Sequence, residues 1–296
     1  MAEPMTERLH DLAAGLDERA PDVIAGHLLT AQAEALAAVT HVLPEIARGG
    51  GVMADTLTAG GRLIYAAAGS SGLMAMADAC ELAGTYGIDP DRISILMAGG
   101  LPQDAAMPGG TEDDRQEAAT AAGIITGKDA VILLSASGTT PYALEIARIA
   151  QVRGAATIAI ANNKGAPLFD GATVAIRLPT PPELIAGSTR MGAGTAQKAT
   201  LNMMSTIMGV ALGHIHDGMM INLRADNAKL RARAATMIAR ITGSPDPQAH
   251  LAAANGAVKP AILLAAGAEN LDQAEALLTA SGGHIRAALA ALKPRA

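Results

Sequence analysis

RLIYAAAGSSG at residues 62–72 and AVILLSASGTTP at residues 130–141 are the stretches whose reading decides the fold. Each is an apolar run of strand length that ends in small residues and hydroxyls, where a helix is set to begin. A strand that hands over to a helix through Gly, Ser and Thr leaves backbone N–H groups and hydroxyls free to surround an anionic or polyhydroxylated ligand. Gly and Ser also make plain tight turns, so one such loop says little. Two loops of matching design on one sheet converge on one pocket. Its ligand positions are then Ser70, Ser71 and Gly72 in the first loop and Ser135, Ser137, Gly138, Thr139 and Thr140 in the second.

Working outward, strand-like runs at 93–98, 156–161 and 173–177 alternate with helical stretches near 71–84, 111–123, 141–153 and 193–213. That alternation predicts an α/β fold, a three-layer αβα sandwich around a parallel five-stranded sheet with right-handed crossovers. Residues 17–59 place Val23, Ile24, Leu28, Leu29, Leu36 and Val39 at helical spacing, and predict a helical preamble packed on the main domain. A further amphipathic helix is expected over 225–243, closed by Gly243 and followed by the breaker SPDP. The domain reading is a helical N-terminal segment at 1–50, the ligand domain at 51–243, and a small helical C-terminal subdomain at 244–296.

Half of the 296 residues are apolar, chiefly Ala, Leu, Ile and Met, with one Phe, no Trp and three Tyr. Few stacking rings and a net charge of −6 argue against a nucleic-acid partner. No apolar stretch is read as reaching the ~18 residues that span a bilayer, and MAEPMTERLHDL lacks the order of a signal peptide. The lone Cys80 fits a reducing cytoplasmic location. No cofactor and no metal are expected. The Gly-rich loops lack the dinucleotide fingerprint. His214, His216 and Asp217 read as a helix exit rather than a ligand set, and nothing forms a nucleophile triad.

Two glutamates stand in opposite settings. Glu81 falls near the end of the helix that begins at Ser71, where apolar neighbours and the negative helix terminus oppose ionisation. Glu112 follows Thr111 in GGTEDDRQ, where Thr111 caps a helix, Asp114 completes a capping box, and the positive first turn favours the carboxylate. A protonated acid and an anionic base are the layout of paired acid–base catalysis. Position alone equally fits a first-turn decoration at Glu112 and a surface residue at Glu81.

GRLIYAAAGSSG, Glu81 before TYGIDP, AGG at 98–100, TEDD at 111–114, SASGTTPY at 135–142 and ELIAGSTRMGAGTAQKATLNM at 183–203 together resemble N-acetylmuramic acid 6-phosphate etherases of the sugar isomerase (SIS) fold. The likeness continues through MMINLRADNAKL at 219–230 and GGHIRAAL at 282–289. The resemblance implies an enzyme that removes D-lactate from the 3-position of a phosphorylated amino sugar, leaving N-acetylglucosamine 6-phosphate. It puts the family's acid on Glu81 and its base on Glu112, in agreement with the helix-end argument. Ser188, Thr189 and Arg190, in a Gly-flanked loop before the helix starting near Gly194, are expected to close over the substrate, and Glu183 and Lys198 complete the substrate-binding set; the resemblance implies a homodimer with its site completed near the subunit interface.

The chain departs from the family at cationic positions. Leu73, Thr139 and Gly192 stand where Arg, Arg and Lys are usual. Leu9, His10, Asp11 and Ala13 replace an N-terminal signature after Thr6 and Glu7, and Leu82, Ala83 and Gly84 replace Cys-Pro-Pro. Fewer charge-assisted hydrogen bonds mean weaker hold on a dianion, unless Arg190, Lys198 or Lys164 compensates. A sugar-phosphate isomerase on the same fold and a non-catalytic sugar-sensing regulator are the competing readings, and release of lactate separates the first reading from both.

Overall fold

The computed structural model describes residues 4–223 and 227–292. Five parallel strands, β1 (Leu63–Ala67), β2 (Ile93–Met97), β3 (Ala130–Leu134), β4 (Ala156–Ala161) and β5 (Val174–Arg177), form one sheet in the order β2-β1-β3-β4-β5. β1 and β3 pair in register from Leu63 with Ala130 to Ala67 with Leu134, so the two hydroxyl loops leave the same sheet edge side by side. The strand order reverses at this pair, and it is at such switch points that open α/β sheets hold ligands.

Every residue of β1 and β3 is buried, which is why both runs are continuously apolar instead of alternating. Ile64, Ala66, Val131 and Leu133 pack on one face against α5 (Arg115–Ala121) and α6 (Pro141–Val152), through Ala118, Tyr142 and Ile146. The opposite face takes α3 (Gly69–Ala79), where Tyr65 Oη donates to Asp78 at 2.8 Å. At the sheet's other end Arg62 clamps Asp129 with its backbone N–H and a guanidinium 2.8 Å away. Burial alone would raise the Asp129 pKa, but the bonds from Arg62 and Thr126 outweigh it and hold the carboxyl below its ordinary range.

The helical preamble expected over 17–59 is α1 (Pro21–Ala37), a 3-10 turn (Ala38–Val42) and α2 (Leu43–Thr58), divided because Pro44 cannot continue a helix from upstream but suits a helix start. Three other expectations need correction. The expectation that no stretch is long and apolar enough to span a bilayer fails. Pro21–Thr58 passes by length and composition, its best 18-residue window averaging a hydropathy of 1.3. The run at 71–84 is two helices, α3 and α4 (Leu82–Tyr86), and the helix expected from 111 starts at Arg115.

By its contacts the chain divides into two compact units. The first is the sheet domain, up to Cys80 and Pro90–Thr206; the second is Glu81–Asp89 with Ile207–Ala296. α7 (Gly192–Ala211) runs from one into the other. The second unit holds α4, a hairpin of β6 (Ile215–His216) and β7 (Met219–Met220), and helices α8 (Ala228–Thr242), α9 (Pro247–Ala253), α10 (Val258–Ala266), α11 (Leu271–Ala280) and α12 (Ile285–Ala291). Ile221, Ile238, Leu251, Ile262, Leu263 and Ile285 form its core. This division does not coincide with the range boundary at 243, because α8 packs on α9 and α10. Residues 225 and 226, where the last amphipathic helix was expected to begin, lie outside the described residues.

Candidate active site

The second hydroxyl loop folds on itself. Ser135 Oγ accepts from Gly138 N at 3.0 Å and shares a 2.8 Å bond with Thr140 Oγ1. Ser137 Oγ lies 3.3 Å from Ser135 Oγ and takes the Thr139 hydroxyl at 3.0 Å and the Thr139 amide at 3.2 Å. Gly138 has a φ of 71°, and a Cβ there would sit 2.3 Å from Ala166 Cβ, so only glycine fits. Each hydroxyl thus has an internal partner and a fixed place, with lone pairs and N–H groups left for a ligand. Pro141 starts α6, whose N-terminus carries no side-chain cap.

The first loop is held from outside. Ser71 is buried and its Oγ donates to Gln197 Oε1 on α7 at 2.9 Å. Gln197 Nε2 continues to Asn162 Oδ1 at 3.1 Å, and Asn162 Nδ2 to Thr180 Oγ1 at 3.0 Å. Ser71, Gln197, Asn162 and Thr180 are all buried, so this chain of polar groups ties the first loop to the loops after β4 and β5 through the core. Ser71 is therefore committed to the scaffold, whereas Ser70 is only half-buried and α3 starts with no side-chain cap. A Cβ at Gly72 would lie 2.9 Å from Met97 Cε at the end of β2, so the glycine leaves room for that side chain.

A second buried link lies further along the same two helices. Asp78 takes Tyr65 Oη on one oxygen and Asn202 Nδ2 (2.9 Å) and Ser205 Oγ (3.0 Å) on the other. Burial, with Asp78 beside it, raises the Tyr65 pKa well above its ordinary value. Lys198, exposed on α7, donates to Asn202 Oδ1 at 2.6 Å and so is steered by that link. Gln197, Asn162, Asp78 and Asn202 were not singled out from sequence, since each looks there like an ordinary polar position.

Glu183 is buried and both its oxygens cap α7, accepting from Gly192 N and Ala193 N at 2.8 Å each. The acid is consumed by a helix terminus rather than left open to solvent. It also explains the glycine at 192, where a Cβ would lie 3.0 Å from Ala35 Cβ and 3.1 Å from Glu183 Oε2. Ser188, Thr189 and Arg190 form the turn just before α7; the two hydroxyl residues are half-buried and Arg190 is exposed. The N-terminal segment fastens this turn, since Thr6 O accepts from Gly187 N at 3.0 Å and Thr6 Oγ1 from Asn163 Nδ2 at 3.2 Å.

Both glutamates differ from their expected settings. Glu112 sits in a 3-10 turn (Thr111–Asp113), not in the first turn of α5. Asp114 is the N-cap of α5, accepting from Glu117 N at 2.8 Å, while Thr111 Oγ1 turns to Pro108 O. The N-cap thus lies three residues past Thr111, with the Glu117 carboxylate turned to Gly99 N at 2.8 Å instead of closing a capping box, and the helix-dipole argument does not reach Glu112 directly. The 3-10 turn packs on α6, the helix that the second hydroxyl loop opens. Beside α5, burial and the charge of Glu117 push the Tyr142 pKa up to about 12. Glu81 lies just past α3, at the N-cap position of α4, and is exposed rather than set among apolar side chains. It opens the second compact unit. There His214 is pushed down to about 4 by burial and by Lys259. No group of three or more His, Cys, Asp or Glu suited to a metal occurs among the described residues.

A model of the SIS domain matches residues 113–208. A protein of Streptomyces avermitilis named N-acetylmuramic acid 6-phosphate etherase is 43% identical over 259 residues, 86% of this chain and 83% of its own length. Its namesake from Deinococcus radiodurans is 38% identical over 294 residues, covering 98% of this chain and 96% of that one. Among solved structures, a putative phosphosugar isomerase involved in capsule formation from Bacteroides fragilis superposes with a TM-score of 0.50 at 20% identity. It covers 63% of this chain and 88% of that one, a likeness of fold.

Proposed function

The chain belongs to the N-acetylmuramic acid 6-phosphate etherase family, and from that premise we propose a mechanism in which Glu112 and Glu81 act on one open-chain sugar. The protein is a carbon–oxygen lyase that cleaves the 3-O-lactyl ether of N-acetylmuramic acid 6-phosphate. Opening of the ring puts C2 beside an aldehyde and makes its proton acidic. Glu112 takes that proton as base; Glu81 protonates the ether oxygen as the C3–O bond breaks, and D-lactate leaves. Water then adds across the unsaturated aldehyde, its hydroxyl to C3 and a proton to C2, to give N-acetylglucosamine 6-phosphate. General acid and base each contribute on the order of 10²–10⁴-fold to such a step.

The observation that carries the residue assignment is the packing of the Glu112 turn on the helix opened by the Ser135–Thr140 loop. That loop, with Ser70 and the amides of α3, holds the phosphate and sugar hydroxyls; Arg190 and Lys198 supply the positive charge that Leu73, Thr139 and Gly192 do not. No cofactor enters this scheme. Exposure of Glu81, together with exposed Leu29 and Leu36 on α1, favours a homodimer whose second copy covers these surfaces. A cytoplasmic location agrees with the exposed free Cys80. The test is release of lactate from N-acetylmuramic acid 6-phosphate by wild type and by Glu112→Ala. Full activity in the variant removes the base, and no lactate from wild type removes the substrate.

A further inference from the structure

The second compact unit contains two adjoining hollows that take no part in the elimination. One, of about 400 Å³, has Met219 and Leu289 as apolar wall and Arg240, Arg286, Asp217 and His216 on its polar side. The other, of about 370 Å³, runs along α8 between Arg233, Thr236 and Met220. Met219 and Arg240 line both, so Arg240 stands where the two meet. Arg233 and Arg240 are seven residues apart on α8, two turns along one helix face. Neither has an ion-pair partner among the described residues. Arg286 gives one nitrogen to Asp217 Oδ1 at 2.6 Å, and the other Asp217 oxygen lies 3.5 Å from His216 Nε2. The two hollows are thus lined by three arginines and one carboxylate residue, Asp217.

We propose that this double hollow is a binding site for a small anion with an apolar body, a phosphate or carboxylate ester or acid of metabolite size. Its volume and its mix of apolar wall with a few convergent polar groups are those of ligand sites. Guanidinium forks bind phosphate or carboxylate with two parallel bonds, and Arg240 is placed to take the acid group with Arg233 or Arg286 beside it. The methionines adapt to the apolar part. Binding here needs neither Glu81 nor Glu112 and stands apart from the etherase reading.

Calorimetric titration with phenyl phosphate and with inorganic phosphate, at constant ionic strength, tests the site. Saturable binding of phenyl phosphate at least tenfold tighter than inorganic phosphate is expected. Arg240→Gln is expected to weaken it at least tenfold, with Arg240→Lys between the two and lactate release unchanged in both. Benzoate in place of phenyl phosphate tells carboxylate from phosphate as the preferred acid. Equal affinity in wild type and Arg240→Gln overturns the proposal. So does loss of binding in Ser137→Ala, which would put the probe in the hydroxyl loops. Arg233→Ala, at an exposed position that the fold does not use, checks the same outcome should the Arg240 variants misfold.

Discussion

The hydroxyl loops and the glutamate turns of this protein are organised in opposite ways. In the loops nearly every polar side chain is already bonded, Ser135 to Gly138 and Thr140, Ser71 to Gln197, and through it to Asn162 and Thr180. Glu112 and Glu81 are exposed. Binding groups are preorganised at the expense of folding energy, whereas the groups assigned to proton transfer hold nothing in place. A loop that must cradle one anion gains from rigidity, because no ordering remains to be done when the ligand arrives. A carboxyl that must exchange protons cannot be locked into a structural bond. This contrast predicts that the two regions respond to mutation through different readouts.

The largest effect belongs to the turns. Glu112→Gln keeps the shape and removes the proposed base, so kcat is expected to fall roughly 10²–10⁴-fold with KM little changed. Because the side chain is exposed, the melting temperature should stay within about 1 °C of wild type. A variant that lost activity by unfolding would break the comparison at once. The loops should behave in reverse. Gln197→Ala strands Ser71 Oγ and Asn162 Oδ1 in the core, at about 1–3 kcal/mol for each group left without a partner. For a domain of this size that is a fall in melting temperature on the order of 5–10 °C. A calorimetric scan measures it, and KM should rise while kcat per folded molecule holds.

The difference between the regions also marks what was legible in the sequence. β1 and β3 could be read because burial on both faces writes an unbroken apolar run, and a strand-to-helix turn leaves Gly and Ser behind it. The buried link could not. Ser71 and Gln197 are 126 residues apart, and a polar residue in a helix looks the same whether it meets water or a core partner. TEDD offered several residues able to cap, and only packing decided that Asp114 would, which moved the helix start past Glu112. The sequence sets Glu81 among apolar neighbours at a helix end, with a plain surface residue as the alternative. Those neighbours belong to two short helices, and the junction between them points to solvent.

Acid sharpens the contrast, since it acts on fold and on chemistry through different residues. His214 in the second unit titrates at about 4 because burial, and then Lys259, disfavour its charged form. The unfolded chain takes up that proton near pH 6.5, so between about 6.5 and 4 it binds more protons than the folded one and stability falls as pH falls. The loss is on the order of 2 kcal/mol by pH 4, after allowing for the partial exposure of the ring. Melting curves of wild type and His214→Asn should diverge across that window and coincide above pH 7. Parallel curves would assign the acid sensitivity elsewhere. The rate profile of lactate release, measured where both proteins are folded, should be the same for the two, because the proton transfers are proposed to lie at the carboxyl turns.

The smallest effect is a gain. Thr139 is exposed at the lip of the second loop, and its hydroxyl gives one bond to Ser137 Oγ while its amide gives another to the same atom. Thr139→Arg removes only the first, so the loop keeps its internal frame. The new guanidinium faces the position where the sugar's phosphate is proposed to lie, and a charge-assisted bond at an exposed site contributes about 1 kcal/mol, or roughly fivefold in KM. Raising the salt concentration should erode that gain, because the added contact is exposed. Activity measured on the unphosphorylated sugar should not improve, which separates a phosphate contact from a general change in the loop. If the Arg variant lowers KM for both sugars alike, or for neither, the second loop is not the phosphate cradle. The rigid hydroxyl frame would then have to be explained by the sugar ring alone.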